Sequence, residues 1–378
     1  MKGNAGEQPR KKGLKRMKRL VLLLLVLSLA LPACAKKGPE PTETTAETTV
    51  PETTAHEMTV PPTTAPVKPT VPMIEVSKYQ NPLNGAPMDL PYVARPFAVV
   101  MNNYVGAMPL CGIDQADVVC EILAEGGITR CLGVFDSLEG IEHIGAIRSA
   151  RPYLVELSQS FGAVFVHHGG SKDGYREIDN LGADDLDPLT NAYSSFYRDQ
   201  GRLSSGYDLE HTSFADGDKL VQEAGEHGYN LAYPDGLETG LHFAPNVKLK
   251  GEKAENIEVI FSGGKTTRLT YNPETQLYDA DQFTDGFVDG NTGKQVGFRN
   301  VICISANTYV YTGSRLKIEL VGSGEGYYAC GGQIVPIKWT RDSQTSPFQF
   351  TLEDGSPLLL TPGNTYFPIL PFEGELDY

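Results

Sequence analysis

The feature that most constrains this chain is the apolar run from Leu20 to Leu31, closing on Leu31-Pro32-Ala33-Cys34. Basic residues up to Arg19 precede it, giving the layout of a secretory signal peptide: charged start, short apolar middle, small residue before the cut. About a dozen residues cannot span ~30 Å of hydrocarbon as a permanent helix. A cysteine placed directly after the small residue is the acceptor position of a bacterial lipoprotein signal. Residues 1–33 are therefore expected to be removed, and Cys34 to carry the lipid. Either Met1 or Met17 can start such a leader. The expected address is the extracytoplasmic face of the cell membrane, with the membrane as a partner through the lipid anchor.

The chain of 378 residues has a formal charge of −15. Its leader holds eight basic residues and one acid, so the remainder stands at −22. A body that acidic is poorly suited to nucleic acid, where neutralisation of phosphates by Lys and Arg dominates affinity. No nucleic acid partner is expected, and an anion site must be a local basic cluster.

Residues 34–75 are rich in Thr, Pro and Glu and hold almost nothing large and apolar to bury. That composition predicts a disordered linker, reaching up to about 100 Å at a polyproline-like rise. From residue 76 the texture becomes globular. Residues 96–101 read as a buried strand, and 117–123 with 128–135 as a hairpin about Glu125-Gly126-Gly127. Ser149 and Pro152 read as the start of a helix, 163–166 as a strand running into Gly169-Gly170, and Ser213 as the cap of a helix reaching Glu226. Residues 76–245 are thus expected to form an N-terminal mixed α/β domain. Residues 246–378 show short β-prone runs at 257–261, 267–271, 301–304, 316–320 and 332–339 and no convincing helix, which predicts a C-terminal antiparallel β-rich domain. The fold class is α+β. Gly322 to Tyr328 reads as a hairpin turn. Beyond Cys34 five cysteines remain, an odd number; Cys303 and Cys330, both in expected strands, are the pair best placed to bridge.

The chemistry-bearing residues gather in the N-terminal half. Arg148 and Arg151 flank an expected helix start, where free N–H groups favour an anion, and Arg130 lies on the hairpin. Guanidinium forks match carboxylate or phosphate in two-point contacts. The expected anion site is Arg130, Arg148, Arg151 and Ser149, with Asp117 and Glu121 orienting the arginines. His167, Gly169, Gly170 and His211 are expected to line it. The alternative is that each arginine is neutralised by a local acid and only stiffens the fold. A histidine base beside Ser171 or Ser213, or a His-bound metal, would make an envelope hydrolase, but no HExxH or GxSxG pattern is present. No catalytic residue, metal or cofactor is assigned. Adjacent strand histidines point to opposite faces, so at most one of His167 and His168 can share a given site.

Several of these runs recur in order in one known family. Residues 95–103, 115–121, 125–130 and 147–151, with Val166-His167-His168-Gly169-Gly170 and Glu210-His211-Thr212, resemble the YerB-like lipoprotein family (domain of unknown function 3048). So do 320–328, 337–339 and 362–365 in the second half. The resemblance implies a two-domain, membrane-anchored envelope protein and supplies no reaction. The residues therefore point to a binding or scaffold protein for an acidic wall polymer or peptide. An envelope hydrolase and a purely structural protein–protein module are the alternatives.

Overall fold

A computed structural model describes residues 79–378 except 235, 246, 284 and 285. The leader, Cys34 and the whole Thr/Pro/Glu-rich segment lie outside the described residues.

Three apolar runs of the first half build its centre: β1 (Phe97–Asn103), β2 (Val118–Leu123) and β3 (Thr129–Phe135). Helix α1 (Pro152–Ser160) leads to β4 (Val164–Val166), and α2 (Lys172–Leu181) leads to β5 (Asp185–Leu186). After these come β6 (Phe196–Arg198), a short helix α3 (Gln200–Ser204), β7 (Ser213–Ala215) and α4 (Gly217–Glu226). The second half contributes β8 (Asn256–Ser262), β9 (Lys265–Asn272), β10 (Leu277–Asp281), β11 (Gly297–Phe298) and the long β12 (Asn300–Thr312). It ends with β13 (Arg315–Glu319), β14 (Gly322–Cys330), β15 (Gln333–Arg341), β16 (Gln349–Leu352), β17 (Thr365–Pro371) and β18 (Glu375–Asp377). The fold is α+β and sheet-rich, and among the described residues no α-helix follows Glu226.

One twelve-stranded mixed sheet runs β15-β14-β12-β17-β2-β3-β1-β4-β5, with residues 252–253 beyond β15, β13 on β12 and β16 on β15. The C-terminal β17 lies parallel to both β12 and β2, so both halves of the chain share this sheet. The texture change near residue 245 marks a change of element type and not a break in the sheet. Alternation along each strand supplies two apolar faces. Ala98, Val100, Leu132 and Val134 pack under α1 with Leu154 and Leu157. Val99, Met101, Val119 and Cys131 pack under a second, five-stranded antiparallel sheet, β11-β10-β9-β8-β18, with Ile257, Val259 and Leu269.

Several local expectations are corrected. Helix α1 begins two residues later than expected: Arg151 is its extended N-cap residue and Pro152 fills the first turn, while Ser149 stays outside. Ser213 does not cap a helix but opens β7; Asp216 is the cap, its side chain accepting from Lys219 N. Gly322 to Tyr328 is not a turn but most of strand β14. Its glycines mark close approach: a Cβ on Gly326 would stand 2.4 Å from the Cys303 carbonyl oxygen, and one on Gly324 2.6 Å from Trp339 Nε1. Cys303 and Cys330 are both free and buried. They lie on neighbouring strands, but the register pairs Cys303 with Tyr327 and Cys330 with Asn300. Three residues of offset, about 10 Å along a strand, exceed the reach of a disulfide.

Candidate functional site

At the C-terminal end of β1 the apolar run gives way to Asn102 and Asn103, both buried. The segment 147–150 runs past this end. Ile147 bridges Met101, Arg148 N donates to Val100 O at 2.9 Å, and Ala150 N donates to Gly169 O at 2.8 Å. The glycine turn after β4 is thereby laced to the approach to α1. Gly169 takes a left-handed backbone at φ 70°, which frees its N–H to reach Asp187 Oδ1 at 2.8 Å.

Arg130 faces the α1 side of β3 in direct register with Asn102. It is buried; its Nη1 donates to Ser149 O at 2.7 Å and its Nη2 stands 3.8 Å from Glu125 Oε2. Burial and the neighbouring Arg151 pull its guanidinium down to about 10. Arg151 makes a two-point contact with Glu125, at 2.6 and 3.0 Å, and donates to Ala150 O. Burial alone would raise Glu125, yet the Arg151 contact holds it below its ordinary value. These two arginines therefore share one carboxylate.

Arg148 is different. Its side chain is 20 % exposed, and Nη2 lies 3.6 Å from Glu210 Oε1, whose own side chain is 57 % exposed. The same oxygen is 3.9 Å from His211 Nε2. Asn102 Nδ2 reaches His211 Nδ1 at 2.8 Å, which leaves the His211 proton on Nε2, toward Glu210. Burial lowers the His211 imidazole, favouring its neutral form.

Of the two adjacent histidines, His168 joins this group and His167 does not. His167 is fully buried on the opposite face, with Nδ1 on Gly169 O at 2.8 Å and Nε2 on Asp185 at 3.0 Å. His168 Nε2 accepts from Arg198 Nη2 at 3.0 Å, so its Nδ1 carries the proton and donates to Ser213 Oγ. With both nitrogens engaged in this sense, His168 cannot act as a base toward Ser213, which is itself buried. Ser171 is committed as the N-cap of α2, accepting from Gly174 N. Among the described residues no group of three or more His, Cys, Asp or Glu is arranged to hold a metal ion.

Burial, then Arg198, push His168 down to about 4. The folded value lies below the ordinary 6.5, so below pH 6.5 the unfolded chain takes up a proton that the folded chain refuses. Stability is expected to fall as pH drops from 6.5 to 4, with no further loss from this group below 4. Melting temperatures at pH 7 and pH 4.5 check this: His168→Gln should lose less on acidification than the unaltered chain.

The expected orienting role of Asp117 and Glu121 does not hold. Alternation along β2 turns Glu121 to the face opposite Arg130, and Asp117 precedes β2, at the other end of the hairpin from Arg130. Asp117 accepts from Asn84 Nδ2 and Asp136 N, and burial with the nearby Asp136 raises it to about 6. Glu121 sits between the two sheets, 3.1 Å from Lys265 Nζ. It also accepts from Tyr366, Thr129, Asn103 and Gln282 at 2.6–3.0 Å. Burial would raise its carboxyl, but Lys265 and these donors hold it below the ordinary value. Gly170 only bridges Ala150, leaving Glu125 and Glu210 as the acids beside the arginines. Glu125 is among the local acids from which the sequence alternative draws a partner for the arginines, and it pairs with Arg130 and Arg151; Asn102, Arg198 and Glu210 are not singled out by the sequence. A buried asparagine pair closing an apolar strand was the available signal.

Residues 83–230 match the N-terminal domain, and residues 257–367 the C-terminal domain, of the family described as "Protein of unknown function (DUF3048)". The chain belongs to the DUF3048 family. A relative in Bacillus subtilis named "Putative lipoprotein YerB" is 31 % identical over 300 residues, covering 78 % of this chain and 87 % of its own. The crystal structure of the Bacillus subtilis YerB protein superposes with a TM-score of 0.69 at 28 % identity, over 79 % of this chain and 99 % of that one. Every candidate site residue of this DUF3048 member falls within the N-terminal family match. Among its described residues no helix is long and apolar enough to cross a membrane.

Proposed function

We propose that this protein is a lipid-anchored binding or scaffold protein on the outer side of the cell membrane. Arg148 would be the centre of its site for an acidic envelope ligand, a wall-peptide carboxylate or a phosphate-bearing polymer. The lipoprotein name of the relative and the Cys34 signal support the address. One observation carries the site: Glu210 Oε1 stands between Arg148 and His211 at 3.6 and 3.9 Å, too far for hydrogen bonds to either. An exposed carboxylate held this loosely contributes little and is displaceable. An incoming oxyanion can bind closer to both donors, with Arg198 and Arg130 adding positive potential nearby. Isothermal titration of acidic wall fragments into the purified chain tests the reading. Binding should be lost or strongly weakened in Arg148→Ala; equal binding by both chains would remove the arginine from the account.

A further inference from the structure

The basic centre is bordered by exposed apolar side chains. Val105, Leu189 and Leu209 are 55, 67 and 60 % exposed, and Tyr104 is 40 % exposed. All four are tied to the site. The Tyr104 ring lies 5.5 Å from the His211 ring, and Val105 follows it in a turn whose Gly106 would place a Cβ 3.4 Å from His211 Nε2. The Leu209 carbonyl accepts from Arg198 Nη1 at 2.7 Å. Leu189 Cδ1 and Ser149 Oγ stand 3.0 and 3.8 Å from the point where a Cβ on Gly169 would lie. Hydrocarbon is thus presented beside His211 by Tyr104 and Val105 and on the adjoining turns by Leu189 and Leu209, a pattern that suits a ligand with an anionic head and an apolar body.

We propose that the ligand of this site is an amphiphile: a phosphate ester whose head sits on Arg148 and His211, and whose hydrocarbon lies against Tyr104, Val105, Leu189 and Leu209. This rests on the anion-site reading above and specifies the class of molecule that carries the anion. Transfer of a methylene from water to a fully apolar contact multiplies affinity about fourfold. At an open border about half of that gain in free energy is realised, giving about twofold per methylene.

The test is a titration series with inorganic phosphate, ethyl phosphate, butyl phosphate and hexyl phosphate, all below micellar concentrations. Affinity is expected to rise about tenfold or more from ethyl to hexyl phosphate. In the doubly altered Leu189→Ser, Leu209→Ser chain, inorganic phosphate should bind as before while the rise with chain length flattens. Both side chains are exposed, so these changes should leave the fold intact. Arg148→Ala should weaken every member of the series. Affinity independent of chain length, with phosphate still bound through Arg148, would overturn the amphiphile and leave the anion site standing. No binding of any phosphate to the unaltered chain would overturn the amphiphile and the phosphate form of the anion site, leaving that site only a carboxylate ligand.

Discussion

Replacing Lys265 with methionine is expected to cost about 3–5 kcal/mol of folding stability, because it strands a buried carboxylate. Lys265 and Glu121 are both buried between the two sheets, 3.1 Å apart, on strands β9 and β2. Removing the ammonium leaves Glu121 with its hydrogen bonds but no countercharge in a region without solvent. The pair joins distant parts of the chain: Tyr366 from β17, Gln282 beyond β10 and Thr129 from β3 all donate to the same carboxylate. The penalty is specific to breaking the pair. Glu121→Gln with Lys265→Met removes both charges but keeps an acceptor oxygen for the buried donors around residue 121, so it should recover most of the loss. Urea denaturation of the unaltered chain and the two variants, followed by circular dichroism, checks it. A Lys265→Met loss below 1 kcal/mol would mean that the pair is solvated and the interface open.

The second large effect concerns affinity. A charge-assisted hydrogen bond to a ligand anion contributes about 1.5–3 kcal/mol, so Arg148→Ala is expected to weaken acidic ligands by about 10- to 150-fold. The same change should leave folding stability within about 0.5 kcal/mol, since the loose pair with exposed Glu210 contributes little. Arg151→Ala should do the reverse. It breaks a two-point contact that fixes Glu125 against the start of α1, so stability should fall before affinity does.

What could be read from the residues was local. The continuous apolar run at 96–101 and the glycine-centred hairpin after Leu123 are short-range signals, and a strand and a hairpin form there. The alternation of side chains along a strand separates His167 from His168 without telling which face each meets. That depends on Ser213 and Arg198, which approach from 30 to 45 residues away. Strand β17 was hidden by its own prolines. Pro368 lacks an N–H and argues against a central strand, yet the ladder to β12 skips Phe367 and Pro368 and resumes at Ile369. Helix α2 was missed because Lys172–Leu181 carries mostly polar residues, with Ile178 its main buried apolar side chain. Glu121 reads as an arginine partner in the sequence because its actual partner, Lys265, lies in the other half of the chain. No spacing rule connects them.

The most direct measurement of the central claim is a paired titration of one acidic wall polymer into Arg148→Ala and Glu210→Gln. Arg148→Ala removes the cation, whereas Glu210→Gln removes the carboxylate that stands where the ligand should. The account predicts opposite signs, with affinity falling in the first and rising in the second. Two variants that both bind like the unaltered chain, or a Glu210→Gln that binds more weakly, would contradict it.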